Sequence, residues 1–214
     1  MTFWLSVPKR LTVFNFYLIL KRIFDVFFSF VLFICAIPIL ICLCILIYFS
    51  LCENPIFLQR RHGYRCKPFI LPKLKTMRSL VAGQEIKDHL RVTRLTAYIR
   101  QLRLDELPQL ICIFIGDMSF VGPRPLPIEY TLLSKNSLYA MRYNVKPGIL
   151  GLAQIYGGER LAFNHRLKLD LIYIKNCSVL LDVFIVARTV RFFLGNLLKK
   201  PSNGGSLNSL PKFN

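Results

Sequence analysis

From Val26 to Leu51 the chain is apolar at nearly every position, interrupted only by Ser29, Pro38 and Ser50. A bilayer core asks for about 20 consecutive apolar residues in a helix, so this run predicts a membrane helix. A secretory leader has a shorter apolar core nearer the chain start and a small-residue cleavage pattern after it, which does not describe this stretch. Much later, Val179, Val183, Val186, Ala187, Val190, Phe193, Leu194 and Leu197 recur at helical spacing with Arg188, Arg191, Lys199 and Lys200 among them. That pattern predicts an amphipathic helix at a membrane interface, although a core-packing helix has the same periodicity.

Between these segments the pattern is less regular. Leu74 to Leu104 reads as a loop followed by a helix from about Lys87 to Arg100. Ser119 to Pro127 reads as a loop: its three prolines and Gly122 fix the backbone and hold Arg124 in one position. Lys146-Pro147-Gly148 with Gly151 forms a second rigid, partly basic turn. The expected fold is mainly α with a small β element. Four regions are expected: an interfacial segment over 1–22, a membrane helix over 23–52, a catalytic unit over 53–200 and a disordered tail over 201–214. Phe3, Trp4, Phe14, Phe16 and Tyr17 around Lys9 and Arg10 suit the first to an interface, and Pro, Ser, Asn and Gly dominate the last.

Charge decides how the membrane helix is expected to sit. Lys9, Arg10, Lys21 and Arg22 precede it, and Arg60, Arg61, Arg65, Lys67, Lys73, Lys75 and Arg78 follow it. The positive-inside bias keeps both flanks cytoplasmic. A helix that enters and turns back satisfies that, and Pro38 near the middle permits a kink. Thirteen residues from Val26 to Pro38 rise only about 18 Å, short of the roughly 30 Å hydrocarbon core. The alternative is a straight span with a tolerated proline. The expectation is therefore a monotopic membrane protein with a re-entrant N-terminal helix.

Composition narrows the partners. The chain holds 29 Lys and Arg against 11 Asp and Glu, a net charge of +18, and 54% of its residues are hydrophobic. The mean hydropathy of +0.45 points to lipid, and the cations point to a polyanion such as phospholipid headgroups, nucleotide phosphates or nucleic acid. Nucleic acid fits poorly, because no groove-reading motif accompanies the basic residues and the apolar run would have no purpose. The seven cysteines include no Cys-x-x-Cys pair. His62, His89 and His165 stand too far apart in sequence to suggest zinc. Reduced structural thiols in a cytoplasmic setting are expected.

Against this basic background the adjacent carboxylates of Asp105 and Glu106, followed by Leu107-Pro108-Gln109, stand out. Neighbouring side chains diverge on a helix, but a helix-entry turn can aim both at one site. A nucleophile beside a metal-binding carboxylate suits phosphoryl transfer; an acidic helix start favourable to the macrodipole is the plainer alternative.

Taken in order, Lys21-Arg-Ile-Phe-Asp25, Lys73-Leu-Lys-Thr-Met77, Leu104-Asp-Glu-Leu-Pro-Gln109, Gly116-Asp-Met-Ser119, Val121-Gly-Pro-Arg-Pro125, Lys146-Pro-Gly148 and Gly151-Leu-Ala-Gln154 closely resemble the bacterial sugar transferases known as monotopic phosphoglycosyl transferases. The resemblance covers about Lys21 to Leu194 and matches the small form of the family, the catalytic unit without an added multi-span region. It implies a re-entrant membrane helix, amphipathic helices at the cytoplasmic face of the bacterial inner membrane, and anionic phospholipid around them. It also implies a magnesium-dependent reaction of a nucleoside diphosphate sugar, with a uridine-linked donor, on undecaprenyl phosphate.

By the same resemblance Asp105 is the nucleophile, Glu106 holds magnesium beside it, and Arg124 contacts phosphate. Arg100, Lys73 and Asp170 match further substrate-binding positions. Departures from the family pattern are Lys75 for arginine, Thr96 for glycine, Arg103 for serine, and Ile37 for the serine before the membrane proline. Arg103 removes a helix cap, but no proposed catalytic group is lost. The competing function is a noncatalytic, basic membrane-surface protein of a glycan assembly complex. The sugar, the glycan and the oligomeric state leave no mark in the sequence.

Overall fold

The computed structural model describes residues 7–80, 88–130 and 137–197. The tail expected over 201–214, and the first six residues of the expected interfacial segment, lie outside the described residues. Helix α1 (Val7–Leu51) comes first, followed by an antiparallel hairpin of β1 (Ile56–His62) and β2 (Pro68–Leu74). Next come α2 (Arg94–Gln101), a 3-10 turn over Leu104–Gln109 and α3 (Leu110–Ile115). Strands β3 (Ser119–Val121) and β4 (Gly148–Leu150) pair in parallel, and α4 (Phe163–Asn176) and α5 (Val179–Leu197) close the described chain. The protein is thus mostly helical with small sheets, as its sequence suggests.

Helix α1 runs unbroken through the expected boundary at residues 22 and 23 and contains Pro38. Its 45 residues give a helical path of about 67 Å at 1.5 Å per residue, with Pro38 inside it. Tyr17, Asp25, Ser29, Ala36, Leu43, Ile47 and Leu51 are buried along it, and spacings of four, seven and eight put them on one stripe. Ala36 packs in a core with Phe69, Leu71, Leu110, Ile113 and Met118. Leu43, Ile47 and Leu51 pack with Leu74 and Ile99. The other faces are apolar and open: Phe27, Phe30, Ile41 and Phe49 are all exposed, the last at 74%. Among the described residues α1 is the one helix long and apolar enough to cross a membrane. An open apolar surface of this kind belongs in lipid, and the protein is membrane-associated.

Polar contacts fix α1 at both ends. Near its start, Tyr17 and Lys21 both donate to Asp182 of α5, and Tyr173 of α4 donates to the same carboxylate at 2.8 Å, with Val121 O at 3.2 Å as its alternative acceptor. Arg22 donates to the Ile113 and Phe114 carbonyls at 2.6 and 2.8 Å, satisfying the C-terminal end of α3 with a cation, as helix ends favour. That end turns on Gly116 at φ 110°; a Cβ there would lie 3.1 Å from the Arg22 guanidinium. At the far end, Ser50 shares a 2.9 Å hydrogen bond with Thr93.

Helix α2 is shorter than the expected Lys87–Arg100, because Thr93 caps it. Thr93 accepts from the Thr96 N–H while Thr96 accepts from the Thr93 N–H, a reciprocal cap that ends the helix at this point. The Thr96 departure from the family pattern is thereby accounted for. The loop expected over Ser119–Pro127 begins as strand β3, and Gly148 of the second expected turn opens β4. Gly148 must be glycine: a Cβ would sit 2.1 Å from the Gly122 nitrogen. Lys75, the other basic departure, ion-pairs with Glu53.

Candidate active site

Asp105 and Glu106 sit on the 3-10 turn that leads into α3, with Pro108 inside it. This turn is reached through Arg103, which adopts a left-handed φ of 54° and provides no side-chain cap. Glu106 is buried at 7% exposure, and Arg124 Nη2 donates to its Oε1 at 2.6 Å. Arg103 Nη1 stands 3.5 Å from the same oxygen. Burial alone would raise the Glu106 pKa, but Arg124, Arg103 and Lys73 outweigh it and hold the carboxylate below its ordinary value. Asp105 goes the other way: burial, then the charge of Glu106, push it up to about 6 against Lys73 and Arg100. The two adjacent carboxyls therefore differ in character, one stably ionised and the other a more basic carboxylate.

Lys73 comes from β2, where it pairs across the hairpin with Phe57. Burial lowers it to about 8, and the nearby Arg124 and Arg61 add to that while Glu106 and Asp105 oppose it. Three cations crowding one another in a half-buried place make an anion site, since phosphate oxygens would offset their repulsion. Arg100 lies exposed at the end of α2, with its charge felt at Asp105.

The segment carrying Arg124 is held by its own carbonyls. Pro123 O accepts from Gly148 N–H at 2.9 Å, Arg124 O from Arg142 Nη2 at 2.7 Å, Pro125 O from Arg61 Nη1 at 2.8 Å and Leu126 O from His62 N–H at 3.0 Å. Four consecutive carbonyls are thus satisfied in a segment whose prolines offer no N–H, which explains how it stays fixed without regular structure.

Asp170 is not brought to the dyad. It is buried on α4, and Arg142 Nη2 pairs with its Oδ2 at 2.9 Å. Burial pushes Asp170 up to about 6 in spite of Arg142 and Arg166. Arg142 therefore links Asp170 to the backbone of Arg124. Sequence reasoning missed Arg142 and took Arg61 only as a basic flank; nothing local marks either, because their function lies in what they touch across the fold.

Arg142→Leu should destabilise the protein by about 3–5 kcal/mol, since it strands a buried carboxylate. The Arg142→Leu/Asp170→Leu pair should recover most of that in thermal unfolding but stay impaired in turnover, because Arg124 O still lacks its donor. Full activity in the double variant would show that the pin on Arg124 is dispensable.

The donor set suits magnesium. Glu106 Oε2 is buried with no hydrogen-bond partner, so the carboxylate has an oxygen to offer beside Asp105. Magnesium is typically held by one or two carboxylates together with substrate phosphates rather than by an all-protein cage. No cluster of three or more His, Cys, Asp or Glu residues that could hold a metal occurs among the described residues.

Residues 16–196 match the family described as bacterial sugar transferase. The chain belongs to the bacterial sugar transferase family. It is 38% identical over 176 residues to the uncharacterized sugar transferase EpsL of Bacillus subtilis, covering 81% of this chain and 87% of that protein. The UDP-glucose:undecaprenyl-phosphate glucose-1-phosphate transferase of Escherichia coli is 35% identical over 183 residues, covering 80% of this chain and 39% of that protein. A third bacterial sugar transferase relative, the UDP-N-acetylgalactosamine-undecaprenyl-phosphate N-acetylgalactosaminephosphotransferase of Aeromonas hydrophila, is 35% identical over 187 residues, covering 83% and 44%. The chain thus spans most of EpsL and under half of the two relatives named for a substrate.

Proposed function

We propose that the protein transfers a sugar-1-phosphate from a uridine-linked nucleoside diphosphate sugar to undecaprenyl phosphate. The products are a polyprenyl-diphosphate sugar and a nucleoside monophosphate, and the reaction is the first membrane step of a surface glycan. The observation that carries this is the pairing of a buried carboxylate dyad with the cations of Lys73, Arg61 and Arg124, in a family whose relatives are named for that transfer. A noncatalytic lipid-binding surface gives no reason to bury Glu106.

Asp105 is the nucleophile: its carboxylate oxygen bonds to the phosphorus that bears the sugar, and the bond from that phosphorus to the bridging oxygen breaks. The nucleoside monophosphate leaves, and the phospho-sugar stays on Asp105 as an acyl phosphate. An oxygen of the lipid phosphate then bonds to the same phosphorus and the Asp105 carboxylate is released. Lys73, Arg61 and Arg124 hold the diphosphate oxygens and stabilise charge on the leaving phosphate, with Arg100 adding a positive field. Glu106 would hold magnesium, which would supply charge neutralisation for the phosphoryl transfer. The direct test offers uridine diphosphate sugars in turn, with magnesium and undecaprenyl phosphate. Multiple-turnover release of nucleoside monophosphate that requires the lipid, beyond the single equivalent that Asp105 alone can release, supports the function, and no release from any donor in the panel overturns it.

We infer also that α1 inserts from the cytoplasmic face of the bacterial inner membrane and returns to it, with α5 lying at the surface among anionic phospholipids. Support comes from the two ends of α1: Tyr17 and Lys21 bond to Asp182, while Leu51 packs against Leu74 and Ile99 of the same folded unit. A straight span would carry those ends to opposite sides of the bilayer. Cysteines introduced at the chain start and after Arg78 should both react only with reagents admitted to the cytoplasm. Labelling of the chain start from the periplasm would refute the re-entrant topology.

A further inference from the structure

A cavity of about 1510 Å³ opens between α1 and α5. It exceeds the roughly 300–1,000 Å³ of a site shaped for a compact small molecule. Leu20, Phe24, Phe28 and Leu32 line it from α1, one every fourth residue, and Val183 and Val186 face them from α5. Charged side chains, among them Lys21, Arg103, Glu106 and Arg191, also line the cavity, so that it joins an apolar stripe to a basic margin. The stripe suits a long hydrocarbon chain.

The cavity reaches one carboxylate of the dyad. Glu106 lines it, whereas Asp105, Lys73, Arg100 and Arg124 do not. Arg103 lines it beside Glu106, with its side chain 43% exposed. An arginine at φ 54° carries backbone strain that a glycine would not, and strain of this sort gathers where a side chain must be aimed.

We propose that this cavity binds the prenyl chain of the acceptor lipid and that Arg103 receives its phosphate beside Glu106. The inference rests on the transferase reading and adds a direction to it: the acceptor reaches Glu106 through the α1–α5 cavity, and the donor diphosphate enters from the side of Lys73, Arg61 and Arg124. The chemistry of the site fits its occupant, with an apolar stripe of α1 for the chain and, among the cations that line the cavity, Arg103 beside Glu106 for the anionic head.

The test uses the full chain in lipid nanodiscs and an undecaprenyl phosphate analogue bearing a photoreactive diazirine in its chain. Cross-links are expected on peptides spanning Phe24 to Leu32 and Val183 to Phe192, displaced by excess undecaprenyl phosphate and not by phosphatidylglycerol. Cross-links confined to outward residues such as Phe49, or displaced equally by phosphatidylglycerol, would overturn the site. Arg103→Gly, which keeps the backbone conformation accessible, should raise the acceptor KM about tenfold, well beyond any change in the donor KM that follows from its contact with Glu106, with Arg103→Lys restoring part of the loss. An unchanged acceptor KM would remove Arg103 from the proposal. Cross-linking needs no turnover, so failure of every nucleotide sugar to react would defeat the transferase reading without deciding the labelling result.

Discussion

An Asp105→Asn enzyme is expected to fold, reach the membrane and lose turnover by roughly ten-thousandfold or more, the scale seen when a covalent nucleophile is removed. Asparagine preserves shape, but its amide oxygen is a poor nucleophile. The decisive measurement omits the lipid: wild-type enzyme given magnesium and donor labelled in the sugar phosphate should take up stoichiometric label, and the variant none. The chemical motive is charge. Direct attack of one phosphate anion on another brings two highly charged groups together, whereas a carboxylate that burial has pushed up to about 6 divides the transfer into two steps at one site. A one-step transfer requires both substrates before any nucleotide is released. Sequential kinetics with no label under rapid quenching would remove Asp105 as nucleophile and leave the overall reaction standing.

The second large effect is expected at Glu106. Changing it to glutamine removes the charge that pairs with Arg124 at 2.6 Å and neutralises the carboxylate whose other oxygen lacks a partner. Turnover should fall by about 100- to 1,000-fold, comparable to removing one preorganised electrostatic contact. The magnesium concentration needed for half-maximal rate should rise, because an amide is a weaker ligand for a hard cation. Arg124→Ala should fall in the same range but leave the magnesium requirement closer to that of wild type. Near-normal turnover of Glu106→Gln at saturating magnesium and donor would take the metal-holding role away from that residue.

The parts of this fold legible in the sequence are those written in local patterns. The apolar run of α1 and the helical spacing of α5 fix those elements through composition and period alone. The carboxylate pair is visible because acidic residues are scarce around it. The hairpin of β1 and β2 was hidden by Pro68 and Pro72 within its second strand, residues that ordinarily argue against a strand. Strands β3 and β4 are three residues each and join segments nearly thirty positions apart, beyond the reach of any period. Arg142 illustrates the same limit in the site. Its pairing with Asp170 and with the Arg124 carbonyl is a property of three chain segments meeting, and no one of them announces it.

Helix α1 does more than attach the protein to lipid. Ala36 sits inside one core cluster and Leu43, Ile47 and Leu51 inside another, each cluster also holding residues of the units that carry the dyad. Cutting the chain after α1 would strip a wall from both cores and leave Phe69, Leu71, Ile99 and Ile113 facing water. The proposed insertion of α1 would therefore be coupled to folding of the rest in one cooperative event, with the bilayer as a component of the native state. Catalytic geometry should vary with the lipid that surrounds the outer faces of α1, so that bilayer thickness and composition become determinants of the enzyme's stability.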